Sequence, residues 1–166
     1  MRWPPFPLPA AGRHARGSLV CGMWADTLLT LEQSHLLRLG AWAVISMLGG
    51  TALLTVLAVR RLEAPLLKQF AVQTGAWGAV NALITLWAWR GLTMRDFAGT
   101  QKLLNILWLN TGLDLGYAAV GLTLVIVEWR WERRLGAVGA GLGVVVQGLA
   151  LALLDLRLIV LIGPLR

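Results

Sequence analysis

A chain of 166 residues is of single-domain length, but 57% of it is hydrophobic and only 14% charged, which departs in both directions from the composition of soluble domains. A soluble domain of this size buries roughly 70% of the surface its unfolded chain exposes, so too many of these apolar residues would face water; lipid removes that conflict. The net charge of +7 does not point to nucleic acid, because the basic residues stand in small groups between long apolar runs and no basic face with stacking aromatics can be drawn; membrane lipids are the expected partners.

Residues 1–22 combine four prolines with three arginines and show no helical period. They are expected to be a disordered tail, with Met23 as a second candidate start. Cys21 is the sole cysteine, so an intrachain disulfide is excluded, and no Cys or His array suggests a metal site.

From Asp26 or Thr27, either of which suits a helix N-cap, the segment TLLTLEQSHLLRLG sets Leu28, Leu29, Leu36, Leu37 and Leu39 among polar residues. This pattern predicts an amphipathic helix lying at the membrane interface and running into the first span. His35 falls in it and is expected to be solvated. With His14 in the tail, no facing pair of intramembrane histidines exists to hold a haem, and no cofactor is implied.

A bilayer core of about 30 Å needs about 20 helical residues per crossing. Four stretches are long enough: about 39–59, 70–89, 106–127 and 135–155. The connector Arg130-Trp131-Glu132-Arg133-Arg134 forces the third and fourth into an antiparallel hairpin, and Pro65 lies in a similarly brief link between the first and second. Residues 91–105 have room for a short interfacial helix before the third span. The expected fold is therefore all-α: a polytopic four-transmembrane-helix bundle of two antiparallel hairpins after an interfacial helix, with residues 23–166 as one domain.

Tryptophans favour the boundary between hydrocarbon and head groups. Trp42, Trp87, Trp89, Trp108, Trp129 and Trp131 stand at span ends as expected, whereas Trp77 falls inside the second span and is assigned to helix packing. Lys and Arg on the side of the tail, middle connector and C-terminus outnumber those of the other two connectors, 9 to 6 of the 15. The balance rests on the three arginines of residues 1–22, and it predicts both termini on the cytoplasmic side.

Polar side chains within spans normally turn toward other helices, and each is a candidate functional group. At about 100° per residue, Asn110, Asp114, Tyr117 and Gly121 share one narrow stripe of the third span, and Gly112 and Gly116 occupy the other side with the spacing of a packing motif. In the fourth span Gly136, Ala140, Gly143 and Gln147 share one face, while Gly141, Gly148, Ala152 and Asp155 share another about 120° away. The antiparallel path brings Asn81, Asn110, Asp114 and Asp155 into one half of the bilayer, with Tyr117 and Gln147 nearer its middle. A buried polar cluster is predicted there. Its two readings are a structural set of mutually satisfied groups and a site in which Asp114 binds a proton or cation, with a lipid, quinone or other small molecule as a further occupant. Asp155, beside Arg157 and the aqueous interface, needs no special role.

The runs FAVQTGAWGAVNALI, LLNILWLNTGLDLGYAAVGL and GAGLGVVVQGLALALLDL, within about residues 70–157, resemble an uncharacterised family of bacterial four-helix membrane proteins. The middle pattern, NxGLDxGY, is the most specific. The resemblance implies family positions at Trp77, Asn81, Asn110, Gly112, Asp114, Tyr117, Gly121, Gln147, Gly148 and Asp155, and it implies a four-helix membrane fold with no assigned activity.

No paired carboxylates at a defined spacing, Ser/His or Cys/His set, or phosphate-binding glycine loop can be assembled, so the chain is not read as an enzyme. The expected role is a non-enzymatic membrane scaffold or complex subunit, working as a homo-oligomer or with another membrane protein. The alternative is a small oligomeric proton- or cation-coupled transporter or channel using Asp114.

Overall fold

The computed structural model describes residues 12–165, with side chains described from Ala25 to Pro164 apart from that of Glu132. Four helices account for the architecture: α1 (Gly12–Val59), α2 (Pro65–Arg90), α3 (Phe97–Val127) and α4 (Leu135–Ile162). A π-helical turn, Glu128–Glu132, extends α3, and a 3-10 turn, Gly163–Leu165, follows α4.

The helix ends follow from local chemistry. Pro65 starts α2, where its fixed φ suits the first turn and its missing N–H costs nothing. Gly91 closes that helix by donating its N–H to the Ala88 carbonyl at 3.1 Å. Asp96 caps α3 by accepting the Gly99 N–H at 2.7 Å. The α1–α2 and α3–α4 connections both turn through an arginine with left-handed backbone, Arg61 at φ 49° and Arg133 at φ 51°.

Three expectations change. α1 runs unbroken for 48 residues, so residues 12–22 of the expected tail are helical, while residues 1–11 lie outside the described residues. The amphipathic stretch near Leu28 is part of the same rod and packs against other helices: Leu28 joins Leu104, Leu107, Leu158, Ile159 and Ile162 in a small core. Burying Leu28 and Leu36 against protein competes with laying them on a lipid surface, and the packed arrangement holds here. Finally, the Asp96 cap starts α3 directly, leaving no separate helix within residues 91–105.

Three segments are long and apolar enough to cross a membrane: Ala25–Val59, Phe97–Trp131 and Leu135–Ile162. The expected second span lies on α2, which is 26 residues long but diluted by Gln69, Gln73, Thr74 and Asn81. α2 packs between α1 and α4.

α4 is the hub, packed along α3 on one side and α2 on another, and touching α1. Its two small-residue faces divide this work. On one, a Cβ added to Gly139 would collide with the Leu66 carbonyl of α2, and one on Gly143 would lie 2.9 Å from Gln73 Cβ. On the other, Gly141 meets Gly121 of α3 so closely that a Cβ on either would stand 2.7 Å from the other's carbonyl oxygen. α1 and α2 approach similarly, with a Cβ on Gly50 falling 2.7 Å from the Ala71 carbonyl oxygen. α3 packs along α4 alone and reaches the other helices through side chains, as where the Tyr117 and Trp77 rings meet with centroids 5.5 Å apart.

Candidate functional site

The polar groups are organised by α1. Glu32, His35, Leu39, Trp42 and Ser46 alternate by three and four residues, which keeps all five on one seam of a helix. Their partners come from other parts of the chain. Glu32 Oε1 accepts a hydrogen bond of 2.7 Å from Arg95 Nε in the α2–α3 connection. His35 Nε2 stands 3.3 Å from Asp155 Oδ1 of α4. Trp42 Nε1 donates to Gln147 Oε1 at 2.9 Å, and Gln147 Nε2 donates onward to Ser46 Oγ at 3.0 Å.

Gln147 is 1% exposed and both ends of its amide are satisfied. A buried amide without partners costs about 1–3 kcal/mol, so the Trp42-Gln147-Ser46 chain both removes that cost and sets the register of α1 against α4. Glu32 and Asp155 are likewise buried, each beside a nitrogen group that complements it.

The six residues of the expected cluster divide. Asn81, Asp114, Gln147 and Asp155 are buried. Asn110 and Tyr117 are exposed instead, Tyr117 by 44%. The reason is that α3 meets α4 through Leu104, Leu107, Thr111, Asp114, Ala118 and Gly121, and Asn110 and Tyr117 stand about 70–90° from the centre of that stripe. Tyr117 retains a partner in Trp77, which is half-buried. No hydrogen bond joins Asn110 to Asp114, Gln147 or Asp155 among the described residues.

The packing residues divide too. Gly121, Gly143 and Gly148 are buried at helix contacts, whereas Gly112 and Gly116 are exposed with open space where a side chain would be. They lie on the side of α3 away from α4, where none of the described helices covers them.

Reading the sequence by its leucines and intramembrane amides missed Glu32, His35, Trp42, Ser46 and Arg95. Trp42, expected at the interface, commits its indole N–H to Gln147. His35, expected in solvent, and Asp155, expected as an idle surface carboxylate, have side chains only 11% exposed and face each other. The alternating spacing on α1 was the available signal. Among the described residues no group of three or more His, Cys, Asp and Glu is gathered to hold a metal ion.

Among the described residues three buried polar atoms lack hydrogen-bond partners: Thr74 Oγ1 and Asn81 Nδ2 on α2, and Glu128 Oε2 in the π-helical turn. Other threonine hydroxyls, including those of Thr55, Thr85, Thr111 and Thr123, turn back to the carbonyl four residues earlier at 2.8–2.9 Å. This local bond satisfies a hydroxyl on a helix surface that offers it nothing else.

The family model described as a family of unknown function (DUF6992) matches residues 38–156, and the chain belongs to that family. No curated protein and no solved structure matches the chain.

Proposed function

We propose that this member of a family of unknown function is a multi-pass integral membrane protein, a non-enzymatic helical scaffold or complex subunit whose polar side chains fasten its helices to one another. The supporting observation is the pairing of the polar groups between separate segments: Gln147 with Trp42 and Ser46, His35 with Asp155, and Glu32 with Arg95. Groups satisfied in this way hold register and offer no free functional atoms to a substrate.

Charge spacing supports crossings by α1, α2 and α4, and apolar length supports one by α3. Arg38 to Arg60 is 22 residues, Lys68 to Arg90 is 22 and Arg134 to Arg157 is 23. At 1.5 Å per residue each is about 33–35 Å, close to the hydrocarbon thickness of about 30 Å. The surface between these planes is mainly apolar, with Leu48, Leu83, Val120 and Leu153 each 66–68% exposed, while Asn81, Asp114 and Gln147 are inside and Asn110 is an exposed exception. That inversion suits a lipid solvent. In this reading Arg38, Arg90 and Arg157 mark the cytoplasmic face.

Alkaline carbonate extraction tests insertion: the chain should stay with the membrane pellet, and release into the supernatant would overturn the reading. For the scaffold role, Asp114→Asn should leave melting in detergent and any cellular phenotype intact, whereas Gln147→Leu, which removes a paired group, should damage both.

One observation favours the transporter alternative. Asp114 is buried and its carboxyl makes no hydrogen bond among the described residues. Purified chain in liposomes should then carry proton or cation flux that Asp114→Asn abolishes. Flux equal to that of empty liposomes, with and without an imposed potential, would eliminate this alternative.

A further inference from the structure

α1 and α4 touch over only part of their length, and the space between them on the outer surface is a groove made of three adjoining cavities with shared lining residues. At one end it is lined by Ser34, His35, Arg38, Leu154 and Arg157. Its middle, with a volume of about 420 Å³, shares Arg38, Leu154 and Arg157 with that end and adds Trp42, Ile45 and Ala150. Beyond Trp42 and Ile45 it continues over Gly49, Gly50 and Thr74, where α2 forms its floor.

The mouth is cationic and the trough apolar. Arg38 and Arg157 face the same cleft from opposite helices, and both are exposed. Neither takes part in an ion pair among the described residues, because the buried acids at this end are already matched, Glu32 to Arg95 and Asp155 to His35. Two unpaired guanidinium groups across a gap suit a phosphate, whose oxygens accept their forked N–H donors.

Depth identifies what lies below the phosphate. From Arg38 to Gly49 is 11 residues, about 16 Å along the helix, which is one leaflet of a hydrocarbon core about 30 Å thick. Over that length the groove presents Ala41, Trp42, Ile45, Ala150 and Leu153, and the polar ends of Trp42 and Gln147 are occupied by each other.

We propose that the α1–α4 groove is a binding site for one anionic phospholipid, its phosphate held between Arg38 and Arg157 and one acyl chain lying along Trp42, Ile45 and Ala150 toward Gly49. The site rests on the membrane reading above. It adds a ligand class and a place for it, and it makes the lipid a structural strut between two helices that His35–Asp155 and Trp42–Gln147 already join.

The test is native mass spectrometry of the full chain released from detergent micelles containing palmitoyl-oleoyl phosphatidylglycerol or the phosphatidylcholine of the same acyl chains. Wild type should retain one phosphatidylglycerol, with phosphatidylcholine held about tenfold less, equivalent to about 1.4 kcal/mol. Arg38→Gln with Arg157→Gln should lower phosphatidylglycerol retention at least about tenfold, and Arg60→Gln with Arg61→Gln at the opposite face should leave it unchanged. Ala150→Trp, which fills the trough and keeps both arginines, should also expel the lipid. Added inorganic phosphate should not displace it. Equal retention of the two lipids, retention indifferent to the paired arginine substitution in a chain that melts like wild type, or displacement by phosphate alone would overturn the proposal. Carbonate extraction of the membranes from which each chain is purified separates the two readings: a chain that stays in the membrane but holds no phosphatidylglycerol refutes the groove alone, and a chain released by carbonate refutes the membrane assignment itself.

Discussion

His35 on α1 and Asp155 on α4 meet at 3.3 Å, with both side chains only 11% exposed. One lies near the start of the chain's first apolar stretch and the other near the end of its last, so their contact joins the first helix to the fourth. Glu32 and Arg95 make a second link at that face, tying the α2–α3 connection to the same seam of α1.

Replacing either member of the first pair leaves the other buried without its partner. His35→Ala and Asp155→Ala should each destabilise the detergent-solubilised chain by about 1–3 kcal/mol, and the double variant should cost less than the sum. A double-mutant cycle read from thermal melting checks this; strict additivity would show that the two side chains do not interact.

Gln147 has two dependants. Gln147→Leu strands both the Trp42 N–H and the Ser46 hydroxyl, and should lower stability by about 1–2 kcal/mol, within the range of interhelical hydrogen bonds in membranes. Trp42→Phe in that background should add almost nothing, since the bond it removes is already gone. Tryptophan fluorescence and thermal melting of the four species report it, and a full additional loss on Trp42→Phe would count against the hydrogen-bonded chain.

The glycines separate by environment. Gly121→Ala and Gly139→Ala push a methyl group into the Gly141 and Leu66 carbonyls and should cost about 1–3 kcal/mol. Gly112→Ala and Gly116→Ala meet open space and should be neutral or stabilising by up to about 1 kcal/mol, because alanine loses less entropy in a helix. Melting temperatures of the four variants decide this. Destabilisation at Gly112 and Gly116 would instead mean that another chain packs on that face.

Arg61 and Arg133 hold left-handed backbone at the two turns on one face, a conformation costing a residue with a Cβ about 1–2 kcal/mol. Arg61→Gly and Arg133→Gly should each raise stability by about 1 kcal/mol, less the greater freedom glycine gives the unfolded chain. Equilibrium unfolding in mixed micelles measures the change, and a loss of stability at both positions would contradict the turn geometry.

Composition and the length of the apolar runs were enough to establish an all-helical chain, because apolar stretches of this length have few other stable forms. The two faces of α4 were also legible: Gly143 and Gln147 repeat on one and Gly141, Gly148 and Asp155 on another, since the angle between residues on one helix is a property of that helix alone. Which face meets which neighbour is not. Asn110 and Asp114 are adjacent on α3, yet only Asp114 is buried, because α3 packs along α4 and its flank meets α2 only through the Trp77–Tyr117 contact among the described residues. The seam of Glu32, His35, Trp42 and Ser46 was present in the spacing of α1, but its meaning depended on Arg95, Asp155 and Gln147 lying opposite. Helical periodicity groups side chains by direction; only the packing of one helix on another decides which direction is the inside.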